Sequence, residues 1–204
     1  MHFTWLGSTA VKIQTKYQEK DIIIVIDPYH PDKGTFPRSL TPDIALFTHG
    51  QENSITLSGE PFIMSTPGEC ETKGVLITAT EGSTAGTVVF RIDAEGISVG
   101  HPGAVAKSLS NRQIEVLGGV DVLFVPCDAK SDQGVEEEVK MVNEVEPRVV
   151  IPIGFKSDND PDAGTVDPFL KEMGAGAVKP ETKIILKKKD LPEEETKIYV
   201  LDKE

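Results

Sequence analysis

The chain has 204 residues, enough for one sizeable domain, and with 38% hydrophobic and 26% charged residues its composition is globular, not disordered. Its formal net charge of -12 repels phosphate backbones and anionic bilayers, which argues against nucleic acid and membrane surfaces as partners. No apolar run approaches the roughly 20 residues a membrane span needs, and Met1 to Val11 lacks the basic start and apolar stretch of a signal peptide. A cytoplasmic protein is therefore expected.

In chain order, the first half reads as short strands. Ile22-Ile23-Ile24-Val25-Ile26 is a continuous apolar run ending at Asp27-Pro28, the pattern of a strand buried on both faces. Ile44-Ala45-Leu46-Phe47 reads the same way. Pro61 to Met64, Val75 to Ile77, Thr87 to Phe90 and Ile97 to Val99 follow, separated by Gly, Pro and Asp punctuation. The second half alternates helix and strand. Ser110 is placed to cap a helix carrying Ile114 and Leu117, stopped by Gly118-Gly119. Val122 to Val125 is a strand. Val135, Val139 and Val142 lie at helical spacing, with Glu136, Glu137 and Glu138 read as the first turn, where the helix dipole favours them. Pro147 ends that helix. Val149 to Ile153 is another buried strand, a short helix spans 167–173 up to Gly174, and terminal strands are read at 184–186 and 198–201. Two packed sheets with helices outside would bury all these runs.

Two cysteines, Cys70 and Cys127, form no CxxC pair, which excludes a cysteine zinc site or a thioredoxin motif, and both are expected as reduced thiols.

Several strand ends carry a resemblance. Phe3-Thr4-Trp5-Leu6-Gly7, Ile26-Asp27-Pro28 and Asp43 through Gly50, followed by Pro67-Gly68-Glu69, Gly100-His101-Pro102-Gly103 and Glu146 through Pro152, resemble the metallo-β-lactamase superfamily, in particular its ascorbate-phosphate-lactonase-like branch. The resemblance spans essentially the whole chain. It implies an α/β (α+β) fold, a four-layer αββα sandwich formed by one domain over 1–204, with the site on loops at one edge of the sheets.

In that family the loop after the fourth strand reads Thr-His-x-His-x-Asp-His, and its ligands hold two zinc ions that activate a water. Here it reads Thr48-His49-Gly50-Gln51-Glu52-Asn53-Ser54. Only His49 is retained; Gln51, Asn53 and Ser54 are poor zinc ligands. The resemblance further implies a histidine within 78–87, where none occurs, an aspartate at Ala104 and a histidine at Gly154. Glu52 is expected to point away from the centre. His49 and His101 are the weak metal candidates, with Glu52, Asp27, Cys127 or Asp128 as possible companions. Other readings stand beside these: His49 bonding within its own turn, His101 positioning other groups, Cys127 as a small buried hydrophobe, Asp27 bracing loops by accepting backbone N–H bonds, and Glu69 pinning a turn.

Two functions follow as expectations. The first is a degenerate, non-catalytic scaffold or binding protein, with no cofactor, for an unidentified small molecule or protein; a homo-oligomer is compatible with it. The alternative is a metal-dependent hydrolase with an altered, mononuclear zinc site.

Overall fold

Alternation at the N-terminus starts the fold. In a computed structural model describing residues 1–104, 108–128 and 132–204, strand β1 (His2–Gly7) pairs antiparallel with β2 (Ala10–Tyr17), and β2 with β3 (Lys20–Ile26). Phe3, Trp5, Val11 and Ile13 point to one face and are buried, while Thr4, Lys12 and Gln14 point to the other. This period-two pattern contains no apolar run, so a search for runs passes over both strands. Short strands β4 (Ser39–Leu40), β5 (Ile44–Leu46), β6 (Thr56–Leu57) and β7 (Phe62–Met64) follow. Parallel pairing of β3 with β5 and of β5 with β7 extends the first sheet.

The second sheet holds β8 (Gly68–Thr72), β9 (Val75–Glu81), β10 (Val88–Ala94) and β11 (Ile97–His101) as an antiparallel meander. After α1 (Asn111–Leu117) comes β12 (Val122–Pro126), parallel to β11; after α2 (Asp132–Val145) comes β13 (Val149–Ile153), parallel to β12. Helix α3 (Asp167–Glu172), strand β14 (Ile184–Ile185) and strand β15 (Lys197–Ile198) complete the chain. The first sheet runs β14-β1-β2-β3-β5-β7 and the second β15-β13-β12-β11-β10-β9-β8. The terminal strands are thus shorter than the sequence suggests, and β14 crosses back to the opposite sheet.

The two sheets face each other across a core containing Phe3, Trp5, Ile24, Phe90 and Phe124. The other face of the second sheet is covered by helices: Leu117, Met141, Val142, Phe169 and Leu170 pack on Leu123, Val125 and Val150. That double cover is why β12 and β13 read as unbroken apolar runs. The expected α/β sandwich is present, and among the described residues its helical layer lies on the second sheet. Over the first sheet, Leu6, Ala10 and Val25 are covered by Tyr29, Phe36 and Leu40 from the segment after β3.

Helix α1 starts as expected: the Ser110 hydroxyl accepts from the Gln113 amide, and the Gln113 side chain accepts from the Ser110 N–H. Helix α2 begins at Asp132, so Glu136 to Glu138 lie beyond its first turn, and Glu138 is buried beneath it, not set against the helix dipole. Glu69 lies exposed on edge strand β8. Both cysteines are free thiols. No helix among the described residues is long and apolar enough to cross a membrane.

Candidate functional site

Loops after β3, β5 and β11 meet at one edge of the sandwich, and Thr48 joins them. Asp27 follows β3 with a left-handed backbone (φ 48°), and its N–H donates to the Leu46 carbonyl at 2.9 Å. Its buried carboxylate accepts from the Thr48 N–H at 2.6 Å and from the Thr48 hydroxyl at 2.5 Å. The Thr48 carbonyl accepts from the Val88 N–H at 2.7 Å, which links the first sheet to the second. Gly103 closes the junction: a Cβ there would stand 3.0 Å from the Thr48 Cβ, and its φ of 70° also favours glycine. Asp27 therefore braces the loops by accepting a backbone N–H, and Thr48 is the partner that sequence inspection missed.

His101 ends β11 and is fully buried, its ring 5.6 Å from that of Phe124. Nδ1 accepts from the Gly103 N–H at 3.2 Å, so Nε2 carries the proton and donates to the Thr9 carbonyl at 2.9 Å. Burial lowers its proton affinity, against the nearby Asp27 charge, and it sits as a neutral imidazole with both nitrogens engaged.

His49 is different. Its side chain is 48% exposed, with Nδ1 3.5 Å from Asp27 Oδ2 and 3.0 Å from the Thr48 hydroxyl oxygen. The single Thr48 hydroxyl proton points to Asp27, so Nδ1–H of His49 is the donor to Thr48. The pairing with Asp27 raises the His49 pKa against the effect of burial, and Glu52 raises it further. Burial would raise the Asp27 pKa, but the contact with His49 and the Thr48 hydroxyl together hold it below the ordinary carboxylate range.

The remainder of the motif loop is occupied with itself and its neighbour. Asn53 Nδ2 donates to the His30 carbonyl at 3.2 Å, and the His30 N–H donates to the Asn53 carbonyl at 2.8 Å. The Ser54 hydroxyl donates to the Ile55 carbonyl at 3.0 Å and its N–H to the Gln51 carbonyl at 3.1 Å, while the Gln51 side chain is exposed. Glu52 folds back over Gly50, with Oε2 2.6 Å from where a Gly50 Cβ would stand, and its charge helps to raise the His49 pKa.

Cys127 packs beneath the helices with Val125 and Met141, and burial beside Glu138 pushes its thiol pKa well up. That is the setting of a buried hydrophobe, with no activated thiolate. Asp128 is exposed beside it. Gly154 ends β13 with φ 74°; the nearest atom to a Cβ there would be the Cys127 nitrogen at 3.8 Å. Among the described residues, no three His, Cys, Asp or Glu side chains converge as metal ligands. A catalytic zinc requires about three such ligands. The residues present therefore do not fit a two-metal centre.

The family-level match rests on more than these loops. The Beta-lactamase superfamily domain matches residues 2–154. This chain belongs to the β-lactamase superfamily. A UPF0173 metal-dependent hydrolase of Methanosarcina mazei is 26% identical, over 91% of this chain and 95% of its own length. A protein of Thermotoga maritima, described as a Zn-dependent hydrolase of the metallo-β-lactamase superfamily, superposes with a TM-score of 0.77 at 25% identity, covering 98% of both chains. The metallo hydrolase Igni18 of Ignicoccus hospitalis superposes at 0.60 with 15% identity, over 91% of this chain and 99% of its own, a likeness of fold alone.

His49→Ala is expected to cost at most about 1 kcal/mol, because one half-exposed, solvent-screened contact is lost. The sign with pH is fixed by the raised pKa: the contribution is fully present below the unfolded value of 6.5 and disappears as pH rises through the higher folded value. Urea melts at pH 5.5 and pH 9 check this. A loss well above 1 kcal/mol, or one that grows toward alkaline pH, would show that something else holds the imidazole.

Proposed function

We propose that this protein is a metallo-β-lactamase-fold binding protein whose strand-end edge holds a small polar molecule without a two-metal centre. The observation that carries this reading is the engagement of the inherited site in direct hydrogen bonds. His101 gives one nitrogen to Thr9 and the other to Gly103, and Asn53 is spent on His30. Of the two retained family histidines, His49 and His101, His49 is the half-exposed one. At Asn53 of the same loop, a cleft of about 340 Å³ is lined by Tyr29, His30 and Asn159, together with Asp32 and Asp160. Such a cleft suits a small ligand rich in hydrogen-bond donors. The net charge of -12 supports a cytoplasmic role without nucleic acid or membrane partners.

The second reading is a metal-dependent hydrolase with an altered, mononuclear zinc site. The relatives named as metal-dependent hydrolases favour it more directly than they favour a binding protein. His49, paired with Asp27 and with the charge of Glu52 acting on it, is the residue such a site would start from.

Metal content separates the two. After dialysis against a weak chelator, elemental analysis is expected to find less than one tightly held zinc per chain, because two protein ligands leave an ion mostly hydrated. Phosphodiester, lactone and thioester test substrates are expected to turn over no faster than in buffer. A stoichiometric zinc, iron or manganese that survives dialysis would establish the hydrolase reading instead, with His49 and Glu52 the first residues to replace.

A further inference from the structure

On the far side of the first sheet, away from the strand-end edge, the outer face of β1 and β2 carries a second constellation. The register pairs His2 with Gln14 and Thr4 with Lys12, which puts these four side chains together, opposite the buried Phe3, Trp5, Val11 and Ile13. Among the described residues, no helix covers this part of the sheet. Lys183, just before β14, closes the group on one side. Together with Thr182 these residues line a cavity of about 330 Å³.

The charge of this cavity opposes that of the molecule. Two lysines and a histidine line it with a single carboxylate, that of Glu204, on a chain whose net charge is -12. Glu204 is already bound as an anion would be. Its N–H donates to the Trp5 carbonyl at 2.9 Å, and its Oε2 meets Lys12 Nζ at 2.5 Å. The site still has unused capacity: Nδ1 of His2 is buried and makes no hydrogen bond. Burial, then Lys183, then the N-terminal ammonium make its protonation harder; Gln14 and Asp21 work the other way. An imidazole held by Gln14 with two cations beside it is an arrangement that an incoming anion would stabilise in its charged form.

We propose that this cavity binds a small phosphate-bearing anion, with Lys12, Lys183 and His2 as its donors and the Glu204 carboxylate as the internal occupant that the ligand displaces. A dianion fits better than a second carboxylate. It faces two ammonium groups and can take a proton-bearing imidazole as a third charge-assisted donor, while Thr4, Thr182 and Gln14 offer neutral hydrogen bonds. The compact ammonium of lysine suits a phosphate approached as a point charge.

The test is titration of the full chain with inorganic phosphate at constant ionic strength, read by the His2 imidazole resonances. Saturable binding is expected, and saturating phosphate should raise the His2 titration midpoint by about half a pH unit or more, as a nearby anion favours the charged form. Lys183→Met should weaken binding about fivefold or more. Glu204→Gln should tighten it about threefold or more, because the internal competitor is removed. Both positions are on the surface, and circular dichroism confirms that the variants fold. The proposal is overturned if phosphate produces no saturable shift of His2, or if both variants bind as the parent does.

Discussion

Asp27→Ala is expected to destabilise the protein by about 3–5 kcal/mol, the loss of two hydrogen bonds to a charged acceptor with a buried N–H left behind. The Thr48 N–H and hydroxyl both lose their acceptor, at a junction where Thr48 also links to Val88 of the second sheet. The backbone adds to the loss. Asp27 adopts φ 48°, which Asp and Asn tolerate and alanine resists. Asp27→Asn keeps that conformation but removes the charge and replaces one of the two accepting oxygens with an NH2 donor, so it should retain only part of the stability. The pH dependence follows from a pKa held below the ordinary 3.8: the carboxylate contribution is fully present above about that value and fades as pH falls through the lower folded value. Urea melts from pH 7 to pH 3 should therefore show the gap between the parent and Asp27→Asn closing only in acid. A loss below about 1 kcal/mol for Asp27→Ala at pH 7 would mean that Thr48 finds another acceptor, and the junction would not be held as described.

Phe124→Ala is expected to cost about 3–5 kcal/mol, from lost burial and the cavity left between the sheets. Phe124 is fully buried on β12, its ring 6.0 Å from Phe3 in an edge-on arrangement and 5.6 Å from His101. Phe3 belongs to the first sheet and His101 to the second, so the substitution loosens the contact between sheets and the support under the site edge together. The resonances of His101 should shift in this variant even where it remains folded. By contrast Ile185→Ala, at a side chain 56% exposed on β14, should change stability by less than about 0.5 kcal/mol. Comparable losses at the two positions would contradict the core described here.

The sequence by itself determined the buried strands, the start of α1 and the altered motif. Ile22 to Ile26, Val122 to Val125 and Val149 to Ile153 are apolar throughout because both faces of each strand are covered, and a local run records that directly. Ser110 and Gln113 cap their helix within four residues of chain. The motif Thr48 to Ser54 could likewise be read position by position. Only the tertiary structure decided what those residues do. The partners of Thr48 are Asp27, Val88 and Gly103; those of His101 include Thr9; that of Asn53 is His30. Such contacts close over tens of residues, and the pattern around one residue carries no trace of the other. The same reason hid the cavity at His2 and Lys183, whose walls come from opposite ends of the chain and meet only because β14 returns to pair with β1.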